Sequence, residues 1–149
     1  MEQDRLILLT GASGYVGRHV LRALLGQGLR PVAVTRHASR LAAWGTALDV
    51  VELDLAHPGP EDFAALGRPD ILIHLAWDGL PNYRALAHFE TELGAQYRFL
   101  KSLLQAGLKS LVVAGTCLEY GLQEGGLAED RAPNPVTPYG LAKDTLRRE

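Results

Sequence analysis

Tyr139 and Lys143 stand four positions apart in Tyr139-Gly140-Leu141-Ala142-Lys143, a spacing that puts both side chains on one face of a helix. A phenol ionises near ~10 and is a poor base at neutral pH, but an ammonium beside it favours the phenolate. Such a pair could pass a proton to or from a substrate oxygen. Thr116 follows the apolar run Leu111-Val112-Val113. That places it at the carboxyl end of a strand, where open α/β sheets bind ligands, with a hydroxyl able to hydrogen-bond the reacting oxygen. On spacing alone Tyr139 and Lys143 would more often be a surface pair, and the other motifs reverse that reading.

The second chemistry is anion binding. Thr10-Gly11-Ala12-Ser13-Gly14-Tyr15-Val16-Gly17 joins an apolar run to a helical pattern. Gly11 and Gly14 permit a tight turn and close backbone approach to a pyrophosphate, and Gly17 lets the helix pack against the sheet. The N–H groups and dipole at the helix start favour the anion. The pattern departs from G-x-G-x-x-G, because Ala12 stands where that motif has its first glycine and Gly11 comes one residue earlier. A tight turn without ligand is the alternative, and the position of the loop between strand and helix argues against it.

The third feature concerns which dinucleotide. NAD-binding folds place an acid ~20 residues after the glycines to accept from the ribose 2′-OH. Here the second apolar run ends Val34-Thr35-Arg36-His37, with Arg40 close by and no carboxylate at that point. Arg36 could pair with a 2′-phosphate, so the sequence predicts NADP(H) in preference to NAD(H). Asp54 ends the third run, where it could contact the adenine edge, cap a helix, or both. Cys117 has no His-Asn arrangement around it and reads as a partly buried free thiol. His19, His37, His57, His74 and His88 show no ligand spacing, so no metal is expected. His74 falls at a strand end beside the cofactor loop.

These residues need elements to position them. Leu6–Leu9, Val32–Val34, Val50–Leu53, Ile71–Leu75 and Leu111–Val113 are short, nearly continuous apolar runs, as expected for strands buried on both faces. Between them, Val16–Leu25 reads as a helix stopped by Gly26 and Gly28. A long helix is expected from about Tyr83 to Ala106, with Leu86, Phe89, Leu93, Leu100 and Leu103 on one face and Gly107 ending it. A Pro-rich loop, Pro133 to Pro138, leads to a last helix near Tyr139. The alternation specifies an α/β fold, a three-layer Rossmann-type parallel sheet of order 3-2-1-4-5.

The chain has 149 residues, 47% of them hydrophobic, and a formal net charge of −2. That suits one soluble domain and gives no field for nucleic acid or anionic membrane. A single cysteine excludes a disulfide framework. The charged start Met1-Glu2-Gln3-Asp4-Arg5 and the short run after it fit neither a signal peptide nor a membrane span, so a cytoplasmic location is expected. The helical pattern is still running at Glu149, so the sequence reads as the first part of something longer.

Together these motifs resemble the extended short-chain dehydrogenase/reductases. The resemblance rests on the Y-x-x-x-K motif, the T-G-x-x-G-x-x-G loop, Asp54-Leu55, His74-Leu75-Ala76-Trp77 and Thr116-Cys117-Leu118-Glu119-Tyr120-Gly121. Within that family the chain looks like the NAD-dependent epimerase/dehydratase group acting on nucleotide sugars. The resemblance implies a catalytic triad of Tyr139, its partner Lys143, and Thr116. It implies that Gly11, Ser13, Gly14, Tyr15, Val16 and Gly17 cradle the cofactor. Arg36, Asp54 and Leu55 would contact the adenosine end, and Leu75, Ala76 and Trp77 the nicotinamide end with Tyr139 and Lys143. Thr91 stands where many relatives have an asparagine. Residues 1–149 would be the NAD(P)-binding Rossmann domain, without the small substrate domain of the second half. In the family the long helix and the Tyr139 helix build a homodimer.

Sugar-nucleotide dehydratases usually carry Asp-Glu just after the triad threonine, and here Cys117 and Leu118 take those places. The stretch from Gly115 to Gly121, followed by Gly125-Gly126, looks most like 4-ketoreductases of deoxyhexose nucleotides. The expected activity is a dTDP-4-keto-6-deoxyhexose reductase or dehydrogenase. A nucleotide-sugar 4-epimerase and a non-catalytic cofactor-binding module remain alternatives.

Overall fold

A computed structural model describes residues 5–58 and 62–149. The charged start at residues 1–4 lies outside them. The chain divides into two compact units, one formed by the residues up to Ala76 with Phe99–Val113, the other by Trp77–Arg98 with Ala114–Glu149.

The first unit holds the whole sheet. Strands β1 (Ile7–Thr10), β2 (Val32–Thr35), β3 (Asp49–Glu52), β4 (Ile71–His74) and β5 (Ser110–Val113) are parallel, in the order β3-β2-β1-β4-β5. This is the predicted topology. Alternation sends successive side chains to opposite faces. On one face Leu9, Ala33 and Ile73 meet Leu21, Leu24 and Leu25 of α1 (Tyr15–Gly26) and Leu41 and Trp44 of a 3-10 stretch, Ala38–Ala47. On the other, the buried His74 ring packs on Phe99, which also packs on Phe63 of the short helix α2 (Asp62–Ala65). Helices on both faces make the three layers.

The expectation of strands buried on both faces holds for β1, where all four residues are buried. It fails for β3 and β5, where Leu111 and Val112 are 37% and 53% exposed. Each is an edge strand with one neighbour, so apolar composition alone does not bury it. The glycine stops act as expected. Gly28 N–H bonds Leu25 O while Leu29 N–H bonds Leu24 O, and the same pair of bonds recurs at Gly107 and Leu108, closing both helices as Schellman motifs.

The long helix is shorter than predicted. Regular α3 spans Leu93–Gln105 and is preceded by one π-helical turn, His88–Glu92. Residues 83–86 form turns instead. Carbonyls that a helix would use are committed elsewhere, Asn82 O to the His88 ring and Tyr83 O to Tyr139 N–H. Leu86 and Phe89 are therefore 63% and 43% exposed, whereas Leu100 and Leu103 are buried.

The second unit is built around α4 (Pro138–Arg148), with Thr137 as its N-cap, accepting from Gly140 N–H at 3.0 Å. Pro138 at the first helical position suits this start. Gly140 has no side chain to keep Leu118 O away, so α4 packs closely on the 3-10 turn Cys117–Glu119. No helix among the described residues is long and apolar enough to cross a membrane.

Candidate active site

The predicted site residues fall into two groups, one in each unit. In the first unit, Gly11 adopts φ +70° and lies so near the β4 end that an added Cβ would stand 2.8 Å from Ala76 N. Gly17 is buried against Gly11 O, with no space for a side chain. The glycines thus bring loop 11–17 and Leu75-Ala76 together. Thr10 fastens the same corner. Its Oγ1 accepts from Leu75 N–H at 3.1 Å and Ala76 N–H at 3.2 Å and lies 2.8 Å from His74 Nδ1. With both acceptor sites used, the hydroxyl hydrogen goes to Nδ1. Helix α1 begins at Gly14 with no side-chain cap and no acid in its first turn, and Tyr15 and Val16 are exposed beside the half-buried Ser13. Gly14 at the N-cap has no side chain to occupy the helix's first amides, as suits an anion site.

Beyond β2 and β3, the exposed Arg36 and half-buried Asp54 share one electrostatic environment. Burial pushes the Asp54 carboxyl up. The Ala56 N–H, the His57 ring and the charges of His57 and Arg36 outweigh this and hold it below the usual range. Asp54 forms a turn with Ala56 N–H at 3.0 Å and meets His57 at 3.2 Å, so it does not cap a helix. Leu55 is buried beside it. Glu52, in register with Thr35, accepts from Ala38 N–H at 2.7 Å. The Arg36 charge thus acts on the Asp54 carboxylate, and Glu52 of the neighbouring strand is held by the backbone two residues beyond Arg36.

In the second unit, Thr116, Tyr139, Lys143 and Trp77 are gathered. Tyr139 and Lys143 are 7% and 4% exposed on the same side of α4. Lys143 Nζ donates to Ala114 O at 2.9 Å and lies 4.1 Å from the centroid of the Trp77 ring. Burial lowers its pKa from 10.5 to about 8, against the opposing charges of Glu119 and Glu92. The Tyr139 phenol is pushed up, first by burial, then by Tyr83, Glu119 and Cys117, with a hydrogen bond from Thr116 acting the other way. The lowering expected from a neighbouring ammonium is not what the site shows: burial dominates, so at neutral pH the phenol holds its proton. Cys117 is exposed rather than partly buried.

Two members of this group escaped the sequence reading. Glu119 is buried and accepts from Thr116 N–H at 2.8 Å, while Thr116 Oγ1 accepts from Leu118 N–H at 3.3 Å. The T-x-x-E spacing of a capping box would have revealed this. Arg147 also reaches Glu119 at 3.4 Å, so the carboxylate is engaged within its own unit. His88, 1% exposed, carried no signal in the sequence. Thr91 bonds Ala87 O in its own turn.

The Lys143 value has a consequence for stability. The unfolded chain holds this proton up to about pH 10.5, the folded chain only to about 8. Between these values the unfolded state binds more protons, so stability should rise with pH, by about 3 kcal/mol across the window. Urea unfolding at pH 7.5 and 9.5 should show about 2 kcal/mol of this gain in the wild type and its loss in Lys143→Met. Parallel behaviour of the two proteins would refute it.

A family model described as the NAD dependent epimerase/dehydratase family matches residues 7–148. The chain belongs to this family. It is 32% identical over 143 residues to the dTDP-6-deoxy-L-talose 4-dehydrogenase (NAD(+)) of Aggregatibacter actinomycetemcomitans, covering 95% of this chain and 53% of that protein. It is 30% identical over 143 residues to a UDP-glucose 4-epimerase of Azospirillum brasilense, covering 92% and 41%. Among solved structures, MoeE5 in complex with UDP-glucose and NAD matches with a TM-score of 0.76 and 28% identity, covering 96% of this chain and 47% of that one. The chain spans about half the length of the curated relatives it matches. These relatives overturn the expected preference for NADP(H). The dehydrogenase is named for NAD(+) and the MoeE5 complex holds NAD. The physical reason lies beside Arg36, whose charge acts on Asp54, and at Glu52, which accepts from Ala38 N–H two residues further on. Carboxylates there would repel a 2′-phosphate and suit the hydroxyls of a ribose.

Proposed function

We propose that this chain is the NAD-binding and proton-transferring part of an oxidoreductase acting at C4 of a nucleotide sugar, with a dTDP-6-deoxyhexose as substrate. The observation that carries the reading is the group of half-buried Thr116 with buried Tyr139 and Lys143, a phenol that holds its proton beside a lysine whose pKa is about 8. The dTDP-linked sugar in the name of the dehydrogenase that is 32% identical supports the substrate class. The first unit fits the dinucleotide, since its glycine cradle has no space for a Cβ at Gly11 or Gly17 and the α1 amides are uncapped.

NAD, when bound, supplies the hydride acceptor. In the direction of reduction the Tyr139 phenol donates its proton to the C4 oxygen as the ketone becomes an alcohol; in the direction of oxidation Tyr139 first releases its proton to solvent, and the phenolate then takes the proton of the C4 hydroxyl. Thr116 bonds the same oxygen. The Lys143 ammonium stabilises the phenolate that Tyr139 must become. Overall an alcohol and NAD+ give a ketone, NADH and a proton.

The test is to incubate the full-length protein with NAD+ and a dTDP-6-deoxyhexose. NADH formed mole for mole with a 4-keto sugar is the expected result. Interconversion of C4 epimers without net NADH would replace the reading with that of an epimerase, the activity named for several relatives near 30% identity. A second copy of the chain is the proposed partner, supported by the exposed Leu86, Phe89 and Tyr97 and by Leu141 on α4. Sedimentation should give a dimer that Leu86→Glu weakens, and a monomeric wild type would remove the proposal.

A further inference from the structure

We propose that His88 and Trp77 are positioning residues for the Tyr139–Lys143 pair, with the His88 ring holding the Trp77 indole in place. The inference rests on the reading of Tyr139 and Lys143 as the proton-transfer pair and assigns a support to them.

Both ring nitrogens of His88 are engaged. Nε2–H donates to Asn82 O at 2.8 Å, and Nδ1 accepts from the Trp77 indole N–H at 3.1 Å. The backbone carbonyl can only accept and the indole can only donate, so the hydrogen is fixed on Nε2. Gly79 backs the ring, where an added Cβ would stand 3.0 Å from His88 Cε1. A ring that is 1% exposed, bonded at both nitrogens and lined by a glycine has one orientation. The ring also packs on Tyr139, with centroids 5.2 Å apart.

Trp77 passes this order on. Its ring meets Tyr139 edge-on at 5.7 Å, and its face lies 4.1 Å from Lys143 Nζ. An indole face attracts an ammonium while excluding water from it. The only polar atom of the indole is the N–H bonded to His88, so that bond sets which way the face is turned. Without it, a partly buried donor would be left unpaired and the ring would turn to satisfy it. Trp77 and His88 need touch neither substrate nor cofactor to act in this way.

Four measurements test the inference in the full-length protein. Nitrogen-15 spectra of the wild-type imidazole should show the hydrogen on Nε2, with the Trp77 indole N–H protected from exchange. A hydrogen on Nδ1 would overturn the proposal without reference to activity. His88→Leu and Trp77→Phe should each lower kcat ~10-fold, and the double variant should fall by about as much as either single one, because both remove the same bond. A ~100-fold fall would mean independent roles and overturn it.

In His88→Leu the alkaline limb of the kcat profile should move to higher pH, since burial is the largest influence on Lys143 and a displaced indole readmits water. The other groups acting on the pair, Glu119, Glu92, Tyr83 and Cys117, are unchanged in that variant. An unmoved limb would overturn the proposal. His88→Gln, which keeps a donor and an acceptor, should recover part of the rate, and recovery no better than leucine would count against it. Turnover surviving in Tyr139→Phe would instead remove the functional reading beneath the inference and leave the imidazole result standing.

Discussion

Replacing Tyr139 by phenylalanine should lower kcat of the full-length protein by ~10²–10⁴-fold, the range for loss of a general acid–base group. The NAD dissociation constant should stay nearly unchanged. The substitution deletes one oxygen and keeps the ring, which is held by Trp77, Tyr83 and His88 at centroid distances of 5.7, 5.6 and 5.2 Å. The backbone bond from Tyr139 N–H to Tyr83 O is also kept. Thr116→Val should cost less, ~10-fold, because it removes hydrogen bonds to the phenol and to Leu118 N–H but leaves the proton donor. Steady-state rates and cofactor titrations of the two variants check the order. A phenylalanine variant near the wild-type rate would end the assignment of Tyr139.

The second large effect belongs to the glycine cradle. A Cβ at position 17 would collide with Gly11 O and stand 2.8 Å from Ala12 Cα. Both are backbone atoms of the loop that α1 starts from, so neither can move aside as a side-chain end would. Gly17→Ala should therefore destabilise the protein by about 1–3 kcal/mol, in the range for overpacking a filled site, and weaken NAD binding. Gly26, the last residue of the same helix, has nothing within 4 Å of its added Cβ. Gly26→Ala should be neutral or slightly stabilising, because alanine is the better helix former. Urea unfolding and NAD titration of both variants make the comparison. Equal stabilities would contradict the close-approach account of Gly17.

The topology was legible because each strand is a short apolar run that pairs with its neighbours in parallel, and the helix ends were legible because Gly28 and Gly107 act locally. Burial at the sheet edges was not, since Leu111 and Val112 depend on how many strands flank them and not on their own type. Leu86 and Phe89 continue the helical spacing of Leu93, Leu100 and Leu103 in sequence. Hydrogen bonds from His88 and Tyr139 decide where the helix begins, and no periodicity encodes them. The triad candidates could be read from their spacing and family resemblance. Glu119 could have been read from the capping-box pattern. The cofactor preference failed because Arg36 was judged from its own strand, whereas register places Glu52 opposite Thr35 and the chain after β3 brings Asp54. Neighbours across a sheet are set by topology, one level above the motif.

The central claim, redox chemistry at C4 with Tyr139 moving the proton, is tested most directly with a dTDP-6-deoxyhexose carrying deuterium at C4. Incubated with NAD+ and the full-length protein, the sugar should lose its label, and the deuterium should be recovered in the reduced cofactor in step with the ketone formed. Tyr139→Phe should show little transfer. Label that stays on C4 while the sugar is consumed, or equal transfer in the phenylalanine variant, would contradict the account.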